Sequence, residues 1–400
     1  MPAPDSPGSP LSPASPAASA SRSPLVPYGW DADWDAVFAP YAEQGLLPGR
    51  VVRVDRGQCD VLTPGGLVRA DTEFVVPSDP MSVVCTGDWT AVDTGDRDPR
   101  YVRALLPRRN AFVRSTSSKR SEGQVLATNI DHVVICVSLA DELDLGRIER
   151  FLALAMSCSS GDALLREQAH GESIAVQPVL VLTKADLVPD EATLAHLRTD
   201  AETVAPGVQV LPVSAETGEG LDILAAVVAG GTTALLGQSG AGKSTLANAL
   251  LGEESQAVQV TRDRDGKGRH TTTTRNLLPL PASAGGGVLI DTPGLRGVGL
   301  WDAQDGLGQA FSEIEELARD CRFQDCAHDS EPGCAVTAAV ADGTLPERRL
   351  DSYRKLLREN TRLAARTDAR LRAEQRHMFK QRQALGRHMM ERKRGPHRRA

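Results

Sequence analysis

The chain has 400 residues, 41% hydrophobic and 24% charged, with a net charge of -7; the length exceeds a usual single domain, and the composition excludes disorder throughout. No stretch approaches the roughly 18 uninterrupted apolar residues of a membrane helix, and no charged start followed by an apolar core marks a secretory leader. Seven cysteines, an odd and mostly scattered set, exclude a dense disulfide framework and fit a reducing, cytoplasmic compartment. The net charge conceals an asymmetry: residues 361–400 hold 13 Lys and Arg against three acids, a net of +10, which leaves -17 for the rest. That is the pattern of an acidic enzyme body carrying a basic arm.

In chain order, residues 1–28 open with a leader whose first 27 positions include eight Pro, seven Ser and five Ala, too little apolar material to fold. Five short β-branched runs follow, at 51–54, 59–62, 67–70, 83–92 and 101–106, and predict a small OB-like β-barrel over 29–108. Beyond Pro107 strand and helix alternate. Strands are expected at 131–137, 178–182, 208–213, 233–236 and 288–290, with helices at 145–156, 221–228 and 243–251. This is an α/β domain with a mostly parallel sheet, over 109–300. A helix at 311–319, a Cys/His knot and a helical basic segment complete the chain, giving a module at 301–360 and a tail at 361–400.

The segment Gly237-Gln238-Ser239-Gly240-Ala241-Gly242-Lys243-Ser244, followed by Thr245, satisfies the phosphate-loop pattern and sits between a strand and a helix. Its glycines let backbone N–H groups face a β-phosphate, Lys243 reaches the β/γ oxygens, and Ser244 can ligate Mg²⁺. Only seven of the 45 basic residues are Lys, yet Lys stands at 243 and again at 184, where a compact ammonium suits a tight phosphate site. A phosphate loop alone does not choose the nucleotide. Thr183-Lys184-Ala185-Asp186 ends a strand, and its carboxylate can accept both the ring N–H and the exocyclic amine of guanine; adenine has no such donor pair. Ser214-Ala215 follows the next strand as a second base loop. After the phosphate loop come His270 with the threonines 271–274, a loop suited to ligating Mg²⁺ through a threonine, Thr273 being the choice, and then Asp291-Thr292-Pro293-Gly294. Asp291 can hold Mg²⁺ through water and the Gly294 amide can meet a γ-phosphate.

Ordinary GTPases run phosphate loop, switch I, switch II, then the two base loops. Here both base loops come first, a circular permutation that can preserve a fold whose termini lie close together. On these motifs, together with Gly87-Asp88-Trp89 in the barrel and the Cys/His knot, the sequence resembles the ribosome small-subunit-dependent GTPase A family over about residues 29–360. The resemblance implies a multidomain α/β protein: an OB-like barrel, a circularly permuted GTPase domain and a C-terminal helical zinc-binding module. It implies a cytoplasmic GTP hydrolase that binds rRNA of the small ribosomal subunit as a late assembly checkpoint, takes GTP/GDP, and acts as a monomer without a membrane. Two departures stand out. Thr183 replaces the usual Asn, removing an amide able to contact guanine N7 and brace the loop. Leu295 stands where Ras-like enzymes place a water-orienting Gln, so hydrolysis needs another group, for which His270 is the candidate beside Lys243.

Cys321, Cys326, His328 and Cys334 offer three thiolates and one imidazole within 14 residues, a closed tetrahedral set for structural Zn²⁺. Cys59, Cys85, Cys136 and Cys158 are expected in strands or helices as ordinary residues. The tail's arginines suit phosphate contacts without sequence reading. Two rivals remain at this stage: a non-enzymatic RNA-binding scaffold with a structural nucleotide site, and a P-loop kinase or ATPase. The motif order also places Gly294 just ahead of the Cys/His knot, so a γ-phosphate contact there is expected to tilt that module.

Overall fold

A computed structural model describes residues 23–77, 82–95, 98–115, 123–159, 175–252, 275–291 and 304–367. A helix that the sequence pattern does not predict comes first, α1 (Ala32–Ala42). Asp31 caps it, its carboxylate accepting the Asp33 and Trp34 amides at 3.1 Å each, and its two buried residues, Trp34 and Phe38, are too few to give a helical period.

The next strands are β1 (Leu47–Val54), β2 (Gln58–Thr63), β3 (Gly66–Asp71), β4 (Trp89–Val92) and β5 (Arg100–Leu105). β1, β2 and β3 form an antiparallel meander, β3 meets β5 in parallel, β5 pairs with β4, and β4 returns to β1. The ring is thus closed around Val51, Cys59, Val61, Ala70, Val84, Val92 and Val102. The strand expected over 83–92 is shorter than predicted, because the chain turns just before Trp89. Gly87 has φ +98°, and a Cβ there would lie 2.4 Å from the Thr128 carbonyl. Asp88 accepts the Cys85 amide at 2.7 Å and a two-point ion pair from Arg108 at 2.7 and 2.8 Å. Trp89 is buried in an edge-on contact with Trp30, ring centres 4.8 Å apart. Close approach, charge pairing and packing account for the three residues of Gly87-Asp88-Trp89 in turn. Cys85 therefore lies in a turn and not in a strand.

A hairpin of β6 (Ala111–Ser115) and β7 (Gly123–Thr128) leads into the alternating region. There the elements are β8 (His132–Ser138), α2 (Leu145–Met156), β9 (Gln177–Thr183), α3 (Glu191–Val204), β10 (Gln209–Val213), α4 (Leu221–Val227) and β11 (Thr232–Gly237). They continue as α5 (243–252), β12 (Asn276–Pro279) and β13 (Val288–Asp291). The order β10-β9-β8-β11-β13 is parallel, and β12 joins antiparallel to β13. β12 also pairs with β1 at Arg53↔Asn276, so barrel and parallel sheet are one continuous hydrogen-bonded surface. Buried Arg50 stitches the same junction, donating to the carbonyls of Tyr28 and Asn129 and to Thr232 Oγ1.

The C-terminal part comprises α6 (Gln304–Ala310), α7 (Ser312–Ala318), α8 (Ala335–Ala341) and α9 (Glu347–Thr367). It is fastened to α2. Glu149 of α2, wholly buried, accepts from Arg348 and Arg349 at 2.8 Å each and from the Ser352 hydroxyl. Arg349 also pairs with Glu313 at 2.6 Å and lies 4.1 Å over the Phe311 ring. Arg150 makes a two-point pair with Glu359 at 2.6 Å for each bond. No helix among the described residues is long and apolar enough to cross a membrane.

Candidate functional site

Carboxyl ends of parallel strands make the ligand edge of an open α/β sheet, and four segments meet there. β11 runs into the phosphate loop, whose Gly237, Gly240 and Gly242 have φ of +154°, +85° and +78°. At Gly237 a Cβ would lie 2.5 Å from the Cys136 carbonyl, so glycine lets the loop start flush against β8. The Lys243 ammonium donates to the Gly237 and Gln238 carbonyls at 2.8 and 2.7 Å. Burial lowers its pKa, opposed by the nearby Cys136 and Asp291. Burial likewise raises the pKa of Asp291, at the end of β13, with Lys243 opposing. The two groups thus lie within electrostatic reach of each other at the end of the sheet. Ser244 and Thr245 follow Lys243 in the first turn of α5, and both are exposed.

At the end of β9, Thr183 is buried and its hydroxyl lies 2.9 Å from the Ala241 carbonyl and 3.2 Å from that of Val137. The brace expected to be lost with the usual Asn is therefore supplied by a hydroxyl, which ties the base loop directly to the phosphate loop. Lys184 follows in the left-handed region at φ +60°, and this reversal starts the short turn carrying Ala185 and Asp186. Ser214, after β10, donates to Asp186 Oδ1 at 2.6 Å and accepts the Thr217 amide at 3.1 Å. The two base loops named from sequence are thereby brought together, with Ala215 next in line. His270, the threonines 271–274 with Thr273, and Gly294 with Leu295 lie outside the described residues, as do residues 1–22 of the leader and the tail beyond 367.

The Cys/His knot closes between α7 and α8. Cys321, Cys326, His328 and Cys334 bring one ligand atom each within 4.8 Å of one another. Cys321 Sγ and Cys334 Sγ are 3.8 Å apart and lie 3.6 and 3.5 Å from His328 Nδ1. A tetrahedral ion with metal–sulfur bonds of about 2.3 Å and metal–nitrogen bonds of about 2.0 Å has ligand-to-ligand edges of about 3.5 to 3.8 Å. The separations fit a bound metal and are far too long for a disulfide. Although burial raises it, hydrogen bonding from Thr337 and His328 brings the Cys334 thiol down to about 6, towards the thiolate a metal takes.

Three residues carry roles that no motif announces. Glu331 accepts the amides of Ala327, Asp329 and Ser330 at 3.1, 2.8 and 3.1 Å, which hold its pKa down at about 2. It fixes the turn in which His328 takes φ +56°. Glu149 was detectable as an acid on the apolar stripe of 145–156. Arg147, which donates to Gln238 Oε1 at 2.6 Å, had no sequence signal.

The comparisons with known proteins agree with this arrangement. A family model described as RsgA GTPase matches residues 105–301. A "Small ribosomal subunit biogenesis GTPase RsgA" of Streptomyces avermitilis is 69% identical over 94% of this chain and 96% of its own length. The protein of the same name from Streptomyces coelicolor is 68% identical over 94% of this chain and 97% of its own. The chain belongs to the RsgA GTPase family. Among solved structures, the crystal structure of YjeQ from Thermotoga maritima is similar with a TM-score of 0.55 at 25% identity, covering 79% of this chain and 98% of that one. The fold is the barrel, the circularly permuted GTPase domain and a C-terminal module whose Cys₃His cluster can bind a metal.

Proposed function

We propose that the protein hydrolyses GTP as a late checkpoint in assembly of the small ribosomal subunit, gripping its rRNA and leaving once hydrolysis has occurred. The observation that carries the guanine reading is Asp186 clamped by Ser214 at 2.6 Å, beside a phosphate loop braced by Thr183. A carboxylate fixed there can accept both guanine donors. GTP would be held by Thr183, Lys184, Ala185, Asp186, Ser214, Ala215, the loop 237–245, Asp291 and Gly294. Lys243 would exchange its two loop carbonyls for β/γ-phosphate oxygens, giving up neutral acceptors for charged ones as negative charge grows on the transferring group. Ser244, Thr273 and Asp291 would hold Mg²⁺, which supplies charge neutralisation at the phosphates. With Leu295 in place of a water-orienting Gln, His270 would position the attacking water.

Cys321, Cys326, His328 and Cys334 would hold one Zn²⁺, all four positions being filled by protein and none left for substrate. The functional divisions would be a leader at 1–28, the barrel at 29–108, the GTPase at 109–300, the zinc module at 301–360 and a basic tail at 361–400. The protein would act as a cytoplasmic monomer. The deciding experiment is turnover of GTP and of ATP with and without purified small subunits. GTP-selective hydrolysis that rises with subunit concentration supports the reading. Turnover indifferent to subunits would mean a scaffold with a structural nucleotide, and a phosphorylated small molecule would mean a kinase.

A further inference from the structure

Helix α2 touches the phosphate loop at one end and carries the C-terminal module along its length. At its first turn Asp144 caps the helix by accepting the Arg147 amide at 3.0 Å and pairs with the Arg147 guanidinium at 3.1 Å. The same guanidinium donates to Gln238 Oε1. Gln238 is the residue whose backbone carbonyl accepts from Lys243. Its side chain and Arg147, with Ser138, Asp141 and Asp144, line a cavity of about 270 Å³ between the loop and the helix. Within the next turn, Glu149 and Arg150 make the ion pairs to α9 described above. Further along, Gly306 of α6 packs so closely that a Cβ would stand 2.2 Å from the Ala153 carbonyl and 2.6 Å from the Ser157 amide.

These contacts differ in kind. The Glu149–Arg349 pair is buried, and the backbone contact at Gly306 leaves no room for sliding, so α2 and the module are expected to shift as one body. Among the described residues, Arg147, which is 45% exposed, is the side chain of α2 that hydrogen-bonds the phosphate loop. Displacing the module would load this bond through α2, which carries both contacts.

We propose that Arg147 is the positioning residue through which the C-terminal module sets the first half of the phosphate loop, so that engagement of the module by the small subunit alters GTP turnover. The inference rests on the proposed GTPase reading and names a regulatory contact for that same site. By linkage, the loop must bias the module as strongly as the module biases the loop. The route is separate from one through Gly294, which follows from motif order alone.

The test uses the full chain as wild type, Arg147→Met and Arg147→Lys. For each, kcat and KM for GTP are measured without subunits and at saturating subunits, and subunit affinity is compared between a non-hydrolysable GTP analogue and GDP. Arg147→Met keeps its intrinsic turnover and melting temperature. Its stimulated kcat falls about 10-fold, within the usual range of allosteric couplings, with KM for GTP nearly unchanged. Its preference between the two nucleotide states on the subunit shrinks as well, since that binding preference is the quantity linkage ties to the contact. Arg147→Lys, which retains one donor, recovers part of both effects. Stimulation of Arg147→Met to the wild-type plateau overturns the assignment, and so does an equal loss of intrinsic and stimulated rates. A wild type that subunits do not stimulate overturns the functional reading itself, and this inference with it.

Discussion

In the proposed function, Lys243 and Asp186 are the two side chains that would meet the nucleotide most directly. Lys243 is partly desolvated and satisfied by two loop carbonyls, so its removal forfeits a charge already positioned for the phosphates. Lys243→Ala is expected to lower GTP turnover by at least about 100-fold, the usual loss for one preorganised charge-stabilising group, as read in single-turnover hydrolysis. Asp186→Asn leaves an amide that accepts from one guanine donor and repels the other. Competition between GTP and xanthosine triphosphate should shift towards xanthine by about 100-fold or more, as befits a site that reads hydrogen-bonding groups. Unchanged competition would show that the base sits elsewhere. Glu331 collects three amides around the His328 turn without being a ligand. Glu331→Gln removes the charge from that acceptor, and metal affinity is expected to fall by about 10-fold, at the lower end of what such supporting partners contribute, in titration against a competing chelator.

Among the elements, α2 fastens the C-terminal part through the fully buried Glu149. Glu149→Gln leaves buried Arg349 facing an uncharged amide, although Glu313 still faces it. A loss of about 3 kcal/mol is expected, the low end for breaking one side of a buried pair, read as a shift in denaturant midpoint with the slope unchanged. Legibility in the sequence followed physical origin. The buried strands β8, β9 and β13 centre on runs of Val, Leu and Ile, and helix 145–156 has an apolar stripe; local pattern suffices for both. β12 has only Asn276, Leu277, Leu278 and Pro279, and it is a strand because Ile290 and Arg53 pair with it from either side. Such tertiary pairing leaves no periodic trace. The motif segments were legible because they set fixed residue types at fixed spacing, and the structure brings the described ones together at one edge of the sheet. Thr183's brace was missed because its acceptor, Ala241, is 58 residues away.

For the molecule as a whole, charge and metal should separate. Deleting residues 368–400 removes most of the tail's cations while sparing α9, so subunit binding should weaken. Its salt dependence should flatten by roughly 0.7 to 0.9 in log–log slope for each phosphate no longer neutralised. Stimulation at saturating subunit should persist. Cys326→Ser removes one of four ligands; GTP affinity should stay near wild type while stimulation disappears, as read by turnover against subunit concentration. One further consequence comes from the single register Arg53↔Asn276. In a free-standing parallel sheet β12 would be an outer strand with a row of unsatisfied amides and carbonyls, open to an incoming strand from another protein. Here β1 fills that place. A partner that reads nucleotide state by strand addition finds this position taken, and the chain is its own effector there. Deuterium exchange at the Arg53↔Asn276 pairing should then follow opening of the barrel, whichever nucleotide is bound.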